Sequence, residues 1–242
     1  MRVVGIVGYK KSGKTTLGLK LAKELISQGY RVAAIKHISE EINRAHTDTD
    51  KYKKYLSQVV AINSEESIIF LKNKKSVDTI INYIEADIIL IEGFKKERTF
   101  PKIVCLKEES EKEKLFDGLE LCTASLLHTK DQENFSDYSI LNDNDIKDMA
   151  KIVIERAFKL PNLNCGGCGF TDCFTLAKEI VKGNNTIKDC VSLNSKVTVT
   201  VDGNKVSMNP FISKMVKNTI YGILSPLKGF KEGNIEIKLK EK

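Results

Sequence analysis

The stretch that decides the fold is RVVGIVGYKKSGKTTLGLKLAKELIS, residues 2–27. Residues 2–7 are mostly apolar, which is typical of a strand that is buried on both faces of a parallel sheet. Residues 16–27 carry apolar side chains at helical spacing, and Gly29 is placed to end that helix. A second apolar strand is predicted over residues 31–36. Parallel strands need a crossover of this kind, so the stretch predicts a βαβ unit.

The same alternation continues to about residue 159 and predicts an α/β fold with a mainly parallel sheet. Further strands are predicted over residues 59–62, 66–71, 88–91, 102–106 and 125–128, and helices over residues 48–56, 75–83 and 144–159. Pro161 is expected to break the last helix. The chain is thus expected to contain a nucleotide-binding domain (residues 1–159), a cysteine-rich segment (160–194) and a small C-terminal module (195–242).

The cysteine-rich segment and the C-terminal module have weaker patterns. A short helix is predicted over residues 175–182. Residues 197–201 and 205–208 flank Asp202-Gly203, which predicts a hairpin. An amphipathic helix over residues 210–224 and a closing strand over 234–239 complete an expected ββαβ module.

Composition restricts the class of protein. The chain has 242 residues, 41% hydrophobic and 29% charged, which is typical of a globular protein. No apolar run reaches bilayer length, so no membrane partner is expected and a cytoplasmic location is predicted. Residues 151–242 contain 15 Lys and Arg against 8 Asp and Glu and therefore hold the whole net charge of +7. This excess is either a solvated surface or a docking face for an acidic protein or an anionic cofactor. No nucleic-acid motif accompanies it.

Residues 8–15, GYKKSGKT, match the phosphate-binding pattern G-x-x-x-x-G-K-[ST] between a strand and a helix. Glycine permits the backbone dihedrals that turn successive N–H groups toward a phosphate at the helix N-terminus. The candidate nucleotide contacts in this loop are Gly8, Lys11, Ser12, Gly13, Lys14, Thr15 and Thr16. Lys14 is expected to bind the β and γ phosphates and Thr15 to ligate Mg2+. Lys11 is equally explained as a solvated loop lysine.

The predicted strand over residues 88–91 ends in Glu92-Gly93. A carboxylate at the carboxyl end of a central strand can hold Mg2+ or orient an attacking water. Glu92 is therefore a candidate catalytic residue with Lys14 and Thr15. Asp87 stands at the opposite end of the same strand and is excluded from this role.

Three further candidates lie between these motifs. Lys36 and His37 follow the second strand, on the same rim as the phosphate loop. Asp48 begins a predicted helix, where it is either an N-cap or a contact to Mg2+ or substrate. The histidines are too dispersed to predict a zinc site.

Four cysteines crowd into the segment LNCGGCGFTDC and its continuation: Cys165, Cys168, Cys173 and Cys190. Four thiolates suffice to ligate a [4Fe-4S] cluster, and the interspersed glycines let the backbone wrap closely around it. Structural zinc more often uses two short C-x2-C pairs, so zinc and free thiols are the weaker alternatives. Cys105 and Cys122 lie in or beside apolar segments and are expected in the core.

Together GYKKSGKTTL, the Lys-His pair, the Asp-Thr pair before a helix and IEGFK resemble the molybdopterin-guanine dinucleotide biosynthesis protein B (MobB) family over about residues 1–159. The resemblance implies a GTP-binding, weakly hydrolysing protein, often a homodimer, that accompanies the nucleotidyltransferase attaching GMP to molybdopterin. By the family's motifs Gly13, Lys14 and Thr15 bind phosphate and Mg2+, with Asp48 and Glu92 assisting. Thr129-Lys130-Asp131 lacks the spacer of the guanine-reading signature, so GTP rather than ATP follows from the resemblance alone.

Residues 160–190 resemble the cluster domain of corrinoid iron-sulfur proteins and of some membrane-complex ferredoxin subunits. The combined reading predicts a slow GTPase of molybdenum or tungsten pterin cofactor biosynthesis. Its expected partner is a molybdopterin nucleotidyltransferase or another metallocofactor-maturation protein, with the anionic pterin as a further candidate. One alternative is a redox protein that couples nucleotide hydrolysis to electron transfer from the cluster to a low-potential metallocofactor partner. The other alternative is a nucleotide-switched binding module.

Overall fold

The computed structural model describes residues 1–38, 48–126, 135–195, 197–201, 204–206, 208–231 and 233–237, with the backbone alone at residues 48–50 and 204–205. Up to residue 156, strands and helices mostly alternate. They are β1 (Arg2–Gly8), α1 (Lys14–Ser27), β2 (Val32–Lys36), α2 (Asp48–Tyr55), β3 (Gln58–Ile62), β4 (Ser67–Leu71), α3 (Val77–Ile81), β5 (Ile88–Glu92), β6 (Lys102–Cys105), α4 (Lys112–Leu115), β7 (Glu120–Ser125), β8 (Tyr138–Ser139) and α5 (Asp143–Arg156).

A six-stranded sheet forms the centre of this part, in the order β2-β5-β1-β6-β7-β8. Every neighbouring pair in it is parallel, which confirms the predicted α/β fold. β1 lies between β5 and β6, so the loops that follow these three strands meet at one edge of the sheet.

Side chains of β1 alternate between two cores because successive residues of a strand point to opposite faces. Val4 and Ile6 pack with residues of α1 and α5. Val3 packs on the other face with Val77 and Ile81 of α3. Both faces of the strand are therefore covered by helices, as a central parallel strand requires.

β3 and β4 form a separate antiparallel hairpin outside the parallel sheet. Val60 and Ile69 pair across it, and both are more than half exposed, as is Ile62 on the same face. The strands predicted over residues 59–62 and 66–71 thus exist, but they pair with each other.

Of the strand predicted over residues 125–128, Ser125 lies in a strand and Leu126 does not. β7 is Glu120–Ser125, so the real strand ends where the predicted one begins. Cys105, the last residue of β6, pairs with Ala124, and Ser139, the last residue of β8, pairs with Ser125, so β7 ends together with its two neighbours. Residues 127–134 lie outside the described part of the chain.

Two helices are shorter than predicted and one strand was missed. α3 begins after Ser76, whose hydroxyl accepts a hydrogen bond from the Thr79 amide, and it ends at Ile81. α5 ends at Arg156 because Ala157 is extended and the Leu160 amide bonds the Thr99 carbonyl. β8 has two residues, too few to leave an alternation pattern.

The remaining elements are α6 (Cys173–Lys182), β9 (Val199–Val201), β10 (Asn204–Val206) and α7 (Pro210–Leu224). β9 and β10 form the predicted hairpin. The closing strand predicted over residues 234–239 is wrong where it can be checked, because residues 234–237 form no regular structure. None of the helices built from described residues combines the length and the hydrophobicity that crossing a bilayer requires.

Candidate functional site

The phosphate loop, residues 8–15, begins where β1 ends. A Cβ atom at Gly8 would lie 2.4 Å from the Cys105 carbonyl oxygen and 2.4 Å from Ser12 Oγ, so a larger residue does not fit. Gly13 is the N-cap of α1 and has a φ of 87°. No side chain caps this helix, so its first N–H groups remain available to an anion.

Ser12 is a buried residue of the loop, with 1% of its surface exposed. Its hydroxyl makes no hydrogen bond to any described residue. A buried hydroxyl without a partner is costly unless a ligand or water satisfies it. The glycine cradle and this hydroxyl together fit a bound phosphate chain.

Lys14 is the first residue of α1 and folds back over the loop. Its ammonium donates a hydrogen bond of 2.5 Å to the Tyr9 carbonyl. The P-loop lysine thus already stands beside the loop backbone that it would help to close around phosphate oxygens.

Thr15 and Glu92 are in contact at the carboxyl ends of the neighbouring strands β1 and β5. Thr15 Oγ1 lies 3.0 Å from Glu92 Oε1 and 3.1 Å from Oε2. The ammonium of Lys36 lies 3.2 Å from the Thr15 hydroxyl and 3.2 Å from Glu92 Oε1. A hydroxyl and a carboxylate oxygen are hard ligands of the kind Mg2+ takes, so these residues fit a magnesium ion.

His37 contacts this group through a backbone hydrogen bond. Its amide donates to the Glu92 carbonyl at 2.9 Å, and its ring stacks edge-on against Phe94 with 4.9 Å between centroids. Gly93 has a φ of 93°, and a Cβ there would lie 2.8 Å from His37 Cβ. His37 therefore positions the end of β5.

The remaining candidate residues of this site are exposed or have side chains outside the described residues. Lys11 is exposed with a φ of 64°, and Thr16 is exposed on the first turn of α1. Asp48 is the first residue of α2, but its side chain lies outside the described residues. The structure thus brings Lys36 and Glu92 to the phosphate loop and leaves the choice between the two roles of Asp48 open.

Lys95 was not selected from the sequence. It follows Gly93 by two residues, and its ammonium lies 3.7 Å from the centroid of the Tyr9 ring, on the phosphate loop. A lysine just after the glycine that ends the carboxylate-bearing strand was the available signal. Its contact with Tyr9 depends on tertiary structure.

The four cysteines of the second candidate site are all free thiols in the segment after α5. Cys173 and Cys190 are buried, and Cys168 packs against the same apolar cluster. Cys165 is half-buried. Asn164, with a φ of 46°, accepts a hydrogen bond from the Cys173 amide, which fixes the loop to the start of α6.

Local electrostatics at these cysteines act in both directions. Cys173 is the first residue of α6 and lies near Cys190. Burial raises the pKa of the Cys190 thiol, the amides of Leu193 and Ser192 lower it, and the neighbouring Cys173 and Cys168 raise it. Three of the four thiols thus lie close enough to influence one another.

Within the described ranges, no three His, Cys, Asp or Glu side chains converge closely enough to hold a single metal ion. A closed zinc site needs four ligands about 2.0–2.3 Å from one point. A multi-iron cluster instead takes its thiolates at separate iron atoms and so tolerates wider spacing. The donor set fits an iron-sulfur cluster better than it fits zinc.

Cys105 and Cys122 are core residues at the centre of the parallel sheet. Burial raises the pKa of both thiols to about 12. They are therefore protonated and unsuited to metal binding at neutral pH.

The cysteine segment packs directly on the first part of the chain. Leu119, Phe158 and Leu160 lie in one apolar cluster with Cys173 and Cys190. The guanidinium of Arg98, from the loop after β5, lies 4.6 Å from the centroid of the Phe174 ring. The loop that begins at Glu92 therefore reaches the residue next to Cys173.

Comparison with known proteins finds one family match in each of the two parts of the chain that carry a candidate site. Residues 3–125 match the family model of MobB, molybdopterin guanine dinucleotide synthesis protein B. Residues 160–192 match a family described as "Putative Fe-S cluster".

A relative from Methanocaldococcus jannaschii, named "Putative molybdopterin-guanine dinucleotide biosynthesis adapter protein", is 33% identical over 95% of this chain and 93% of its own length. A molybdopterin-guanine dinucleotide biosynthesis adapter protein from Haemophilus influenzae is 36% identical over 46% of this chain and 66% of its own. The crystal structure of Bacillus subtilis MobB matches the fold at a TM-score of 0.53 and 19% identity, covering 63% of this chain and 98% of that one.

The phosphate loop and its carboxylate lie within the matched 123 N-terminal residues, and a relative of nearly the same length aligns over almost the whole chain. The chain belongs to the MobB family and carries a C-terminal segment of the iron-sulfur cluster family.

Proposed function

We propose that this protein binds GTP, hydrolyses it slowly, and acts as an adapter in the synthesis of molybdopterin guanine dinucleotide for molybdenum or tungsten enzymes. The observation that carries the proposal is the cradle of Gly8, Gly13 and the unpartnered Ser12 hydroxyl beside Lys14. The names of the relatives in Methanocaldococcus and Haemophilus support the pathway.

Each residue of the cradle has a separate task. Lys14 and the free amides at the start of α1 bind the β and γ phosphates, where charge accumulates during phosphoryl transfer. Thr15 and Glu92 hold Mg2+, which neutralises charge on the phosphate oxygens. Lys36 must leave the Thr15–Glu92 pair or move aside when the metal binds, since its ammonium bridges the two side chains. No arginine finger was identified in the sequence, and this supports slow intrinsic turnover.

We further propose that Cys165, Cys168, Cys173 and Cys190 ligate a [4Fe-4S] cluster. The match to the iron-sulfur family and the four free thiols support this reading over zinc. The cluster supplies a redox centre when bound. Cys173 begins α6 and donates its amide hydrogen to the Asn164 side chain, which fixes the backbone of this proposed ligand.

The proposed partner is the molybdopterin nucleotidyltransferase or another metallocofactor-maturation protein, and the anionic pterin is a second candidate for the basic C-terminal third. Residues 204–231 contain five lysines and no acidic residue. An acidic surface on the partner would complement this charge and accelerate association.

The test uses anaerobically purified full-length protein. Lys14→Ala is expected to weaken GTP binding by about a hundredfold, since it removes a charge-assisted contact, whereas Lys10→Ala on the same loop leaves binding unchanged. GTP and ATP are titrated in parallel to determine the base preference. Equal binding by both variants contradicts the proposal.

The same preparation tests the cluster and the partner. Iron and acid-labile sulfide near four of each per chain are expected, and zinc in their place argues against the cluster. A pull-down is expected to retain the nucleotidyltransferase. If the protein binds nucleotide but no partner stimulates its hydrolysis, the result would instead favour a nucleotide-switched binding module.

Coupling of hydrolysis to electron transfer is a second candidate function, and the contact between Arg98 and Phe174 favours it. Glu92 and Arg98 belong to one short loop, so a change at the magnesium-binding carboxylate can reach the cluster segment. The distinguishing measurement is the reduction potential of the cluster with GTP analogue, with GDP and without nucleotide. A constant potential argues against coupling.

A further inference from the structure

The ammonium groups of two lysines contact the same residue of the phosphate loop, Tyr9. The carbonyl of Tyr9 accepts the hydrogen bond from Lys14, and the ring of Tyr9 lies 3.7 Å from the ammonium of Lys95. Lys14 comes from α1 and Lys95 from the loop between β5 and β6. The two cations therefore approach the mouth of the loop from different elements.

The electrostatic surroundings of Lys95 favour replacing its contact with the Tyr9 ring by a contact with an anion. Burial lowers the pKa of Lys95, the positive charge of Lys14 lowers it further, and Glu111 raises it. An ammonium over an aromatic ring is held only weakly compared with one that is paired with a phosphate oxygen. A phosphate oxygen would replace this weak contact and would also relieve the repulsion between the two cations.

The topology gives the direction of the phosphate chain. Thr15 and Glu92 are the residues that would hold Mg2+, which would neutralise charge on the outer phosphates of a bound nucleotide. The terminal phosphate therefore lies toward the end of β5. Lys95 emerges from that end, three residues after Glu92.

We propose that Lys95 is a second phosphate-binding cation, which leaves the Tyr9 ring to bind the terminal phosphate of a nucleoside triphosphate. The inference rests on the proposed nucleotide-binding function and extends it. Because a diphosphate lacks the terminal group, Lys95 makes the protein discriminate triphosphate from diphosphate. The same residue relates the nucleotide state to the loop that contacts the cluster segment.

The test compares three variants of the full-length protein by calorimetric titration with Mg2+ and either a non-hydrolysable GTP analogue or GDP. Lys95→Met removes the charge and keeps an apolar stem on Tyr9. It is expected to weaken analogue binding about tenfold and GDP binding less than about twofold. Lys95→Arg retains charge and ring contact and is expected to restore discrimination. Lys96→Met, at the next exposed position, is the matched control and is expected to bind like the wild type.

The outcomes separate this inference from the function on which it rests. If the wild type binds both nucleotides and Lys95→Met weakens both equally or neither, Lys95 merely braces its loop against Tyr9 and the inference is overturned alone. If the wild type binds neither nucleotide, the proposed function and the inference both fail. Discrimination lost in Lys95→Met and kept in Lys95→Arg supports a charge contact that loop bracing does not explain.

Discussion

At the scale of single residues, Gly13 holds the backbone conformation on which the phosphate cradle depends. Its φ of 87° is almost the same as the 88° of Gly29, at the end of α1. A Cβ at Gly13 would lie 2.8 Å from Ile140 Cδ1, whereas a Cβ at Gly29 would meet nothing within 4 Å. The two glycines thus share a left-handed backbone conformation, which would be strained in any other residue, and they differ in crowding.

This pair gives the first prediction. Gly13→Ala and Gly29→Ala are each expected to lower the free energy of unfolding by about 1–3 kcal/mol through strain, with Gly13→Ala the more damaging. Only Gly13→Ala is expected to abolish GTP binding, because its methyl group displaces the cradle. Chemical denaturation and nucleotide titration measure the two effects. Retained binding in Gly13→Ala would show that the cradle tolerates a side chain.

Asp87 lies at the end of β5 opposite Glu92, beside Arg31. The side chain and backbone of Arg31 hydrogen-bond it and lower the pKa of Asp87 to about 2. The same contact raises the pKa of Arg31. The pair joins the start of β2 to the start of β5, at the end of the strands opposite Glu92, which agrees with the exclusion of Asp87 from the magnesium role.

The pH dependence of this pair is the second prediction. A lowered folded-state pKa means that the pair stabilises the protein above the unfolded-state value of about 3.9, and the contribution is lost as the pH falls through about 2. A double-mutant cycle with Arg31→Gln and Asp87→Asn measures the coupling. The coupling free energy is expected to be constant from pH 7 to 5 and to decrease below pH 4. A coupling that does not change on acidification contradicts the assignment.

At the scale of elements, the β3–β4 hairpin exposes an apolar face to solvent. Ile62 is 75% exposed and Ile69 is 59% exposed. The opposite face of the hairpin contacts α2, where the ammonium of Lys53 lies 4.6 Å from the Phe70 ring centroid. Exposed β-branched side chains on a short hairpin are typical of an interface. The expected homodimer is therefore proposed to form through this face.

The third prediction concerns this dimer. Ile69→Lys is expected to convert the dimer into monomers, because it places a charge in an apolar interface. Leu19→Lys, at a residue that is 61% exposed on α1, is the matched control and should remain dimeric. Sedimentation velocity at several protein concentrations distinguishes the two states. A monomeric wild type, or dissociation of both variants, would place the interface elsewhere or exclude it.

At the scale of the whole molecule, the loop after β5 joins the nucleotide site to the cysteine segment. Glu92 lies at one end of this loop, and Arg98 and Thr99 contact the cysteine segment at the other. The Phe174 ring receives a second cation, Lys178 of α6, at 4.5 Å. Two cations cover one ring, but only Arg98 comes from the loop that begins at the carboxylate.

The fourth prediction uses this difference. If nucleotide state is transmitted through the loop, Arg98→Ala is expected to abolish the nucleotide-dependent change in the cluster's reduction potential. Lys178→Ala, which removes the other cation, is expected to retain that change. Each substitution should cost only about 0.5–1 kcal/mol in stability, so both proteins remain folded. Redox titration with and without GTP analogue provides the measurement, and identical behaviour of the two variants contradicts a path through Arg98.

Local constraints in the sequence determined several features of this protein. A phosphate loop needs glycine at fixed positions because only glycine adopts the required dihedrals without a Cβ collision, so the sequence alone predicts such a loop at residues 8–15. The βαβ order and the four clustered cysteines were equally local patterns. Leu126 and residues 234–237 were predicted to lie in strands and do not, since pairing with neighbouring strands decides where a strand ends.

The tertiary structure decided which of these features meet. Thr15 and Glu92 are 77 positions apart and are joined because β5 pairs with β1, which no local pattern specifies. The same strand order sets Lys95 on Tyr9 and Arg98 on Phe174. Strand order results from the packing of both sheet faces against helices, a property of the whole chain. The sequence therefore determined the chemistry of the two sites, and the packing of the sheet determined which residues complete them.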